Sequence, residues 1–543
     1  MSRSIDSDAE FSLMRSFFWP IHAHELKKFM PMLLMMILIC FNYSILRSLK
    51  DSILITSAGA EVLPFIKMWV LPMAILLTVI FTKLSNRFSQ ERVFYIMMAV
   101  FLSFFALFTY VLYPLRESLH PHETAKVWSA LYPSFKWIIV LCENWIFTLF
   151  YTMAELWSVI ILHVIFWGFA NEVTRVHEAR RFYSIFSIGS NLAAALAGLC
   201  GILLISSEMT FGLEATFLAG SEMMQDAIWQ QKLNWIMGLI IFCGLIVIAL
   251  FRWTNKNVLT DPCFDDLHQI KKLAKVSRKK KQSLRDSFNY LKNSKYLICI
   301  AILVISYNLS INLVEVIWKD QLKQLYPAKT DYMWFMSYLT LCQGIVSTIT
   351  AFFMSNIIFR FGWTFTALIT PITMFLTSIG FFAFLLFRES LGPVVTTLVG
   401  VTPLAIAVYI GFIQNCFSKA AKYSVFDATK EMAFIPLEHE EKLKGKAAID
   451  GVGSRLGKSG GAFIHTGLLM FFHRLSDSSP YIAAILLTVI IGWIVATKSL
   501  GRQFGALAAS AEPDSKEATS YASSETSQSK PIGTIKGAVN GNA

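Results

Sequence analysis

The feature that most limits what this chain can become is its supply of apolar runs near twenty residues long, the length a helix needs to cross a bilayer core. Twelve such runs can be read, at about 30–56, 62–82, 93–113, 137–170, 182–205, 233–253, 296–318, 333–356, 364–387, 394–417, 447–472 and 480–498. Glu143 and Asn144 interrupt the fourth, so its membrane part is expected to begin at Trp145. Only 15% of residues are charged against 55% hydrophobic, with a mean hydropathy of +0.54, which excludes a string of soluble domains.

The net charge of +12 raises the question of nucleic-acid binding, and the placement of the charge answers it. About a dozen Lys and Arg lie between Arg252 and Lys295, and others recur in alternate loops: Lys83, Arg87 and Arg92, then Arg175, Arg180 and Arg181, then Arg360, then Lys419, Lys422, Lys430, Lys442 and Lys444. The intervening loops are poorer, and 207–232 is acidic. This is the positive-inside pattern, with both termini cytoplasmic and the basic loops set against anionic lipid rather than nucleic acid. Asp6, Asp8, Glu10 and Glu25 argue against an organelle transit peptide, and no apolar signal region precedes the first span. The eight cysteines include no C-x-x-C pair and read as reduced packing residues.

Six spans, a long polar loop and six more spans predict an all-α polytopic membrane protein, major-facilitator-like, with two six-helix halves around a midplane cavity. The expected division is a cytoplasmic amino terminus at 1–29, one half at 30–253, a basic linker at 254–295, the second half at 296–500 and a disordered tail at 501–543. A faint internal echo supports the two halves, because Phe169-Ala170-Asn171-Glu172 and Phe426-Asp427-Ala428-Thr429 each close the fourth span of a half.

Ionisable side chains inside spans are costly and often mark a transport path. In the first span Tyr43, Arg47, Lys50 and Asp51 fall along one helix face, unless the span ends near Leu46 and the cations reach the interface. In the seventh, Asn308, Asn312, Glu315 and Lys319 form a second polar stripe, with interhelical hydrogen bonding as the simpler reading for the two asparagines. Glu155 stands alone in an apolar run and needs a cationic partner or a proton, whereas His163 reads as a packed core histidine. The eleventh span carries Lys446, Asp450, Gly453, Gly457, Lys458 and Gly461, glycines for close helix packing and lysines facing a cavity.

Gly457-Lys458-Ser459 imitates the end of a phosphate-binding loop, but Val452 stands where that loop needs glycine and no strand precedes it. No metal or hydrolase motif is visible, so neither an enzyme nor a cofactor is expected. Several cations with few counter-charges suit a polyanion, since two unit charges about 4 Å apart interact by roughly 4 kcal/mol at an effective dielectric of 20. For a nucleotide base, Tyr43, Trp157, Asn308, Asn312 and Gln414 offer aromatic or amide contacts.

These segments resemble the ATP/ADP translocase family of chlamydiae, rickettsiae and plastids. The resemblance runs from about Phe17 to Lys498 and rests on Trp19-Pro20-Ile21-His22, Leu46-Arg47-Ser48-Leu49-Lys50-Asp51, Glu155-Leu156-Trp157-Ser158, Asn312-Leu313-Val314-Glu315 and Lys444-Gly445-Lys446-Ala447-Ala448-Ile449-Asp450, among others. The wording around Trp19 is similar to chlamydial members. It implies that Lys50 and Lys446, with Arg47 nearby, hold phosphates. It also implies that Glu155 and Glu315 shape binding and gating, alongside the neighbouring charges Asp51, Lys319 and Asp450. Ser48-Leu49 stands where the exchangers usually read Asp-Thr, and Asp450-Gly451-Val452 where they read Asp-Val-Val, which points toward a paralogue with a wider nucleotide range. The expectation is a monomeric secondary transporter of a bacterial inner membrane, importing nucleoside triphosphates against ADP or another nucleotide. Proton-coupled net import and transport of other organic phosphates are the alternatives.

Overall fold

A computed structural model describes residues 21–174, 176–206, 222–258, 294–437, 445, 449, 453–472 and 474–526. Among them, eleven helices are long and apolar enough to cross a membrane. The first six are α1 (Leu26–Ala58), α2 (Ala60–Arg87), α3 (Gln90–Leu112), α4 (Trp145–Val173), α5 (Arg181–Ser206) and α6 (Met224–Asn257). After the basic segment come α7 (Lys295–Leu325), α8 (Lys329–Phe353), α9 (Arg360–Leu386) and α10 (Pro403–Ala421). Helix α11 (Ser454–Phe472) is too glycine-rich and too charged, with Arg455 and Lys458 in its first turns, to qualify as an apolar span on its own. Helix α12 (Leu475–Thr526) closes the series.

The break before α4 falls where Glu143 and Asn144 predict it: a short helix Lys136–Glu143 ends and α4 starts at Trp145. Two expectations need correction. The tenth span is not the continuous run 394–417, because Gly400 adopts φ 71° and ends the helix Arg388–Val399, and Pro403 opens α10 at its first turn with Thr402 capping Ala405. The tail is also less irregular than its composition suggests, since α12 continues to Thr526.

The internal echo has a structural counterpart. Helix α4 passes through a π-helical stretch, Ser158–Phe166, before Trp167–Val173, and α10 runs into a π-helical stretch, Lys422–Phe426, before Asp427–Ala433. His163 sits in the first of these on the outer surface of the bundle, its Nδ1 2.6 Å from the Ser158 carbonyl, so it is not a core residue.

The two sets of helices meet tightly at one end. A Cβ on Gly344 of α8 would lie 2.4 Å from the Ala195 backbone nitrogen of α5, and one on Gly198 would lie 2.3 Å from that of Leu341. Backbones therefore touch there, the use to which membrane helices put small residues. Ser48 and Thr340 hydroxyls lie 3.1 Å apart across the same seam, and the Ser52 hydroxyl donates to the Lys329 carbonyl at 3.1 Å.

Candidate anion-binding cavity

A cavity of about 560 Å³ occupies the centre of the bundle, lined from α1, α2 and α4 on one side and α7, α10 and α11 on the other. Its volume falls within the roughly 300–1,000 Å³ usual for small-molecule sites. Among the described residues, eight cations line it (Arg47, Lys50, Lys67, Lys319, Lys419, Lys422, Arg455 and Lys458) against the three carboxylates of Asp51, Glu155 and Glu315, an excess of five positive charges.

The deep end is a continuous ion-pair chain. The Lys50 ammonium lies 3.2 Å from Glu155 and 3.2 Å from Asp51, and 3.6 Å from the centre of the Tyr151 ring. Asp51 accepts from Lys319 at 2.8 Å, Lys319 reaches Glu315 at 2.9 Å, and Glu315 meets Lys67 at 3.3 Å. Lys67 also donates to the Asn312 side-chain oxygen at 2.9 Å. Three ammoniums and three carboxylates alternate, so this end carries no net charge. The Asp51–Lys319 and Glu315–Lys67 pairs tie the first six helices to the last six.

The geometry sorts the sequence-derived residues. Lys50, Asp51, Glu155, Glu315 and Lys319 converge as a single network, and Tyr43, Arg47, Asn308 and Asn312 line the same cavity. Both asparagines also donate to carbonyls one turn back on α7, at 2.8 Å each. Trp157 and Gln414 do not reach the cavity, which corrects their selection as base contacts. Trp157 is packed between Phe101 and Phe105 and donates to the Ile39 carbonyl at 3.3 Å, while Gln414 donates to Ser378 at 2.8 Å within the core. Lys446 and Asp450 lie outside the described residues.

Lys67 is the largest omission of the sequence reading. It is a lone cation in Phe65-Ile66-Lys67-Met68-Trp69, and the rule that singles out Glu155 applies equally to it. Lys419 and Lys422, assigned by sequence to an inner loop, also face the cavity, because α10 runs to Ala421 and the π-helical stretch Lys422–Phe426 continues it. Arg455 and Lys458 arrive from α11, which lies close on α7: a Cβ on Gly457 would sit 2.7 Å from Asn308 Cβ, and one on Gly461 2.9 Å from Asn312 Cβ.

Residues 5–504 match the family described as TLC ATP/ADP transporter. The chain belongs to that family. Among its curated relatives, an "ADP,ATP carrier protein 1" of Chlamydia pneumoniae is 45% identical, aligned over 93% of this chain and 96% of the relative. The protein of the same name from Rickettsia bellii is 42% identical over 92% and 98%, and a chloroplastic one from Arabidopsis thaliana 41% identical over 90% and 75%. In fold, the chain is similar to a bacterial homologue of the iron transporter ferroportin, with a TM-score of 0.52 at 13% identity over 89% of this chain and 100% of that one. A member of this family is a multi-pass membrane transporter.

Proposed function

We propose that the protein imports nucleoside triphosphates by alternating access, exchanging them for ADP or another nucleotide, across a bacterial inner membrane with both termini cytoplasmic. The observation that carries this reading is the excess of five positive charges among the described residues that line a central cavity of a transporter fold. A substrate with three or four negative charges matches that excess, and a neutral sugar does not. Membership of a family whose relatives are named ADP,ATP carriers favours adenine nucleotides as the main cargo. On this reading the chain acts as a monomer and catalyses no covalent step.

The cavity's own chemistry favours exchange over proton symport. Symport needs a carboxyl group that takes up a proton when the cavity empties, and the two suited by position, Glu155 and Glu315, are each held by lysines at 2.9–3.3 Å. Lys50 and Glu155 are gating charges here, and Arg47 lies on the path of the phosphates. Lys446 and Asp450 retain the roles that the family resemblance gives them, as phosphate-binding and gating charges.

Uptake of labelled ATP by cells expressing the protein tests the proposal. Stimulation by internal ADP and indifference to an uncoupler are the expected results. Uptake abolished by an uncoupler and unaffected by internal nucleotide would reverse the choice of mechanism, and absence of nucleotide uptake would end the reading.

A further inference from the structure

The mouth of the cavity has two chemically different walls. On one side α2 presents Val70, Leu71, Ala74, Ile75 and Val79, recurring at intervals that place them along one helix face, with Thr78 as the polar member. On the other side α10 and α11 bring Lys419, Lys422, Arg455 and Lys458. Among the described residues, the three lining carboxylates all belong to the deep network, and none of them lies against Lys419 or Arg455.

Lys419 is the most telling of the four. Its ammonium is buried and makes no hydrogen bond among the described residues. Burying such a group without an acceptor is costly, and an anion entering the cavity would supply one. Lys422 opens the π-helical stretch Lys422–Phe426, a local rewinding of a kind that recurs at functional sites. Its ammonium lies 5.9 Å from the Tyr307 ring centre, on the cavity side of α7.

We propose that Lys419, Lys422, Arg455 and Lys458 form the subsite for the polyphosphate tail, while the apolar face of α2 receives the base and ribose. The inference rests on the nucleotide-transport reading and deepens it. The substrate then lies across the cavity, its tail held by α10 and α11 and its base by α2, and the number of phosphates is read on the α10–α11 side. Lys50 is left to the gate, where two carboxylates already neutralise it.

The test is equilibrium binding of ATP, AMP and inorganic tripolyphosphate to the purified full-length protein and two kinds of variant. Lys419→Gln should lower the ATP:AMP affinity ratio by at least roughly tenfold, the scale of one charge-assisted hydrogen bond. Lys458→Gln should do the same, which keeps the test open if the first variant fails to fold. Ala74→Phe should weaken ATP and AMP together and leave tripolyphosphate unchanged. An unaltered ATP:AMP ratio in folded Lys419→Gln and Lys458→Gln proteins overturns the tail subsite. Equal loss of tripolyphosphate and ATP in Ala74→Phe overturns the base wall. A wild-type protein that binds no ATP defeats the nucleotide reading itself, and this inference with it.

Discussion

Replacing Asp51 with Asn removes the carboxylate that Lys50 and Lys319 share. Asp51 is 1% exposed and Lys319 2%, and their 2.8 Å contact joins α1 to α7 across the two halves. At an effective dielectric of 20, two charges at that distance attract by roughly 6 kcal/mol, most of which is offset by desolvation. Breaking a buried pair from one side typically costs 3–5 kcal/mol, and about 3 kcal/mol is the better figure here. Each lysine keeps a second acid, Glu155 for Lys50 and Glu315 for Lys319. The variant network carries one uncompensated positive charge, so the closed end loses that amount relative to a state in which water reaches it. About 3 kcal/mol is roughly a hundredfold change in the ratio of the two states. A cysteine at position 52, one residue beyond Asp51 and fully buried as Ser52, reports on it. In a background freed of the eight native cysteines, Asp51→Asn should speed its reaction with a water-soluble maleimide roughly a hundredfold. Adding Lys319→Met should recover much of the slow rate, because the pair is then removed together. A rate within about twofold of the parent, or a double variant as fast as the single, would refute the view that this pair holds the seam shut.

Two further outcomes follow from contacts elsewhere. Gly344→Leu places a side chain where the Ala195 backbone lies 2.4 Å from a Cβ, so α5 and α8 cannot close. The protein should insert normally yet lose uptake by at least about tenfold, and near-normal uptake would show that the seam opens and closes elsewhere. At the start of α1, burial pushes the Glu25 carboxyl up, but the Arg181 guanidinium at 2.5 and 2.9 Å and the His22 amide outweigh it and hold it below the usual glutamate range. A lowered folded-state pKa stabilises the protein above the unfolded pKa of about 4.3, and that stabilisation is lost as pH falls through the folded value. Glu25→Gln should therefore lower the Tm of the purified protein at pH 7 by roughly 3 °C for a loss of about 3 kcal/mol. The difference from wild type should vanish in acid, and a gap that widens below pH 4 would contradict the pairing.

Most of the spans were legible because spanning helices advertise themselves by length and hydropathy, and even the break at Asn144 left a polar mark. The break at Gly400 was equally written, a glycine stop followed by a proline start, but Leu398-Val399 and Val401 keep the run apolar and conceal it. Asp51, Glu155, Glu315 and Lys319 could be found because a charge in an apolar helix is rare. Their partners could not, since pairing depends on which helices become neighbours. Rotation about the helix axis is the other hidden quantity. A helix apolar on every side gives no sign of which face turns inward, so Trp157 and Gln414 are as plausible by composition as Tyr43 and Asn308, yet only the latter two reach the cavity.

The division of charge along the cavity bears directly on why such a carrier would exchange rather than leak. Its deep end is neutral in itself, three lysines against three carboxylates, and can be dehydrated with no substrate present. The mouth is different: Arg47, Lys419, Lys422, Arg455 and Lys458 line it, and the buried Lys419 ammonium makes no hydrogen bond among the described residues. Closing that region around nothing would leave the Lys419 ammonium dehydrated without a counter-ion, at a cost of several kcal/mol. A bound polyphosphate removes most of the penalty. On the proposed mechanism an empty carrier is therefore held open on one side, and either ATP or ADP releases it. Neutralising Lys419 makes empty closure easier. Substituting Lys419 by Gln should thus turn part of the exchange into uniport, measurable as ATP efflux into nucleotide-free medium, while the same change at Lys67, inside the neutral chain, should not.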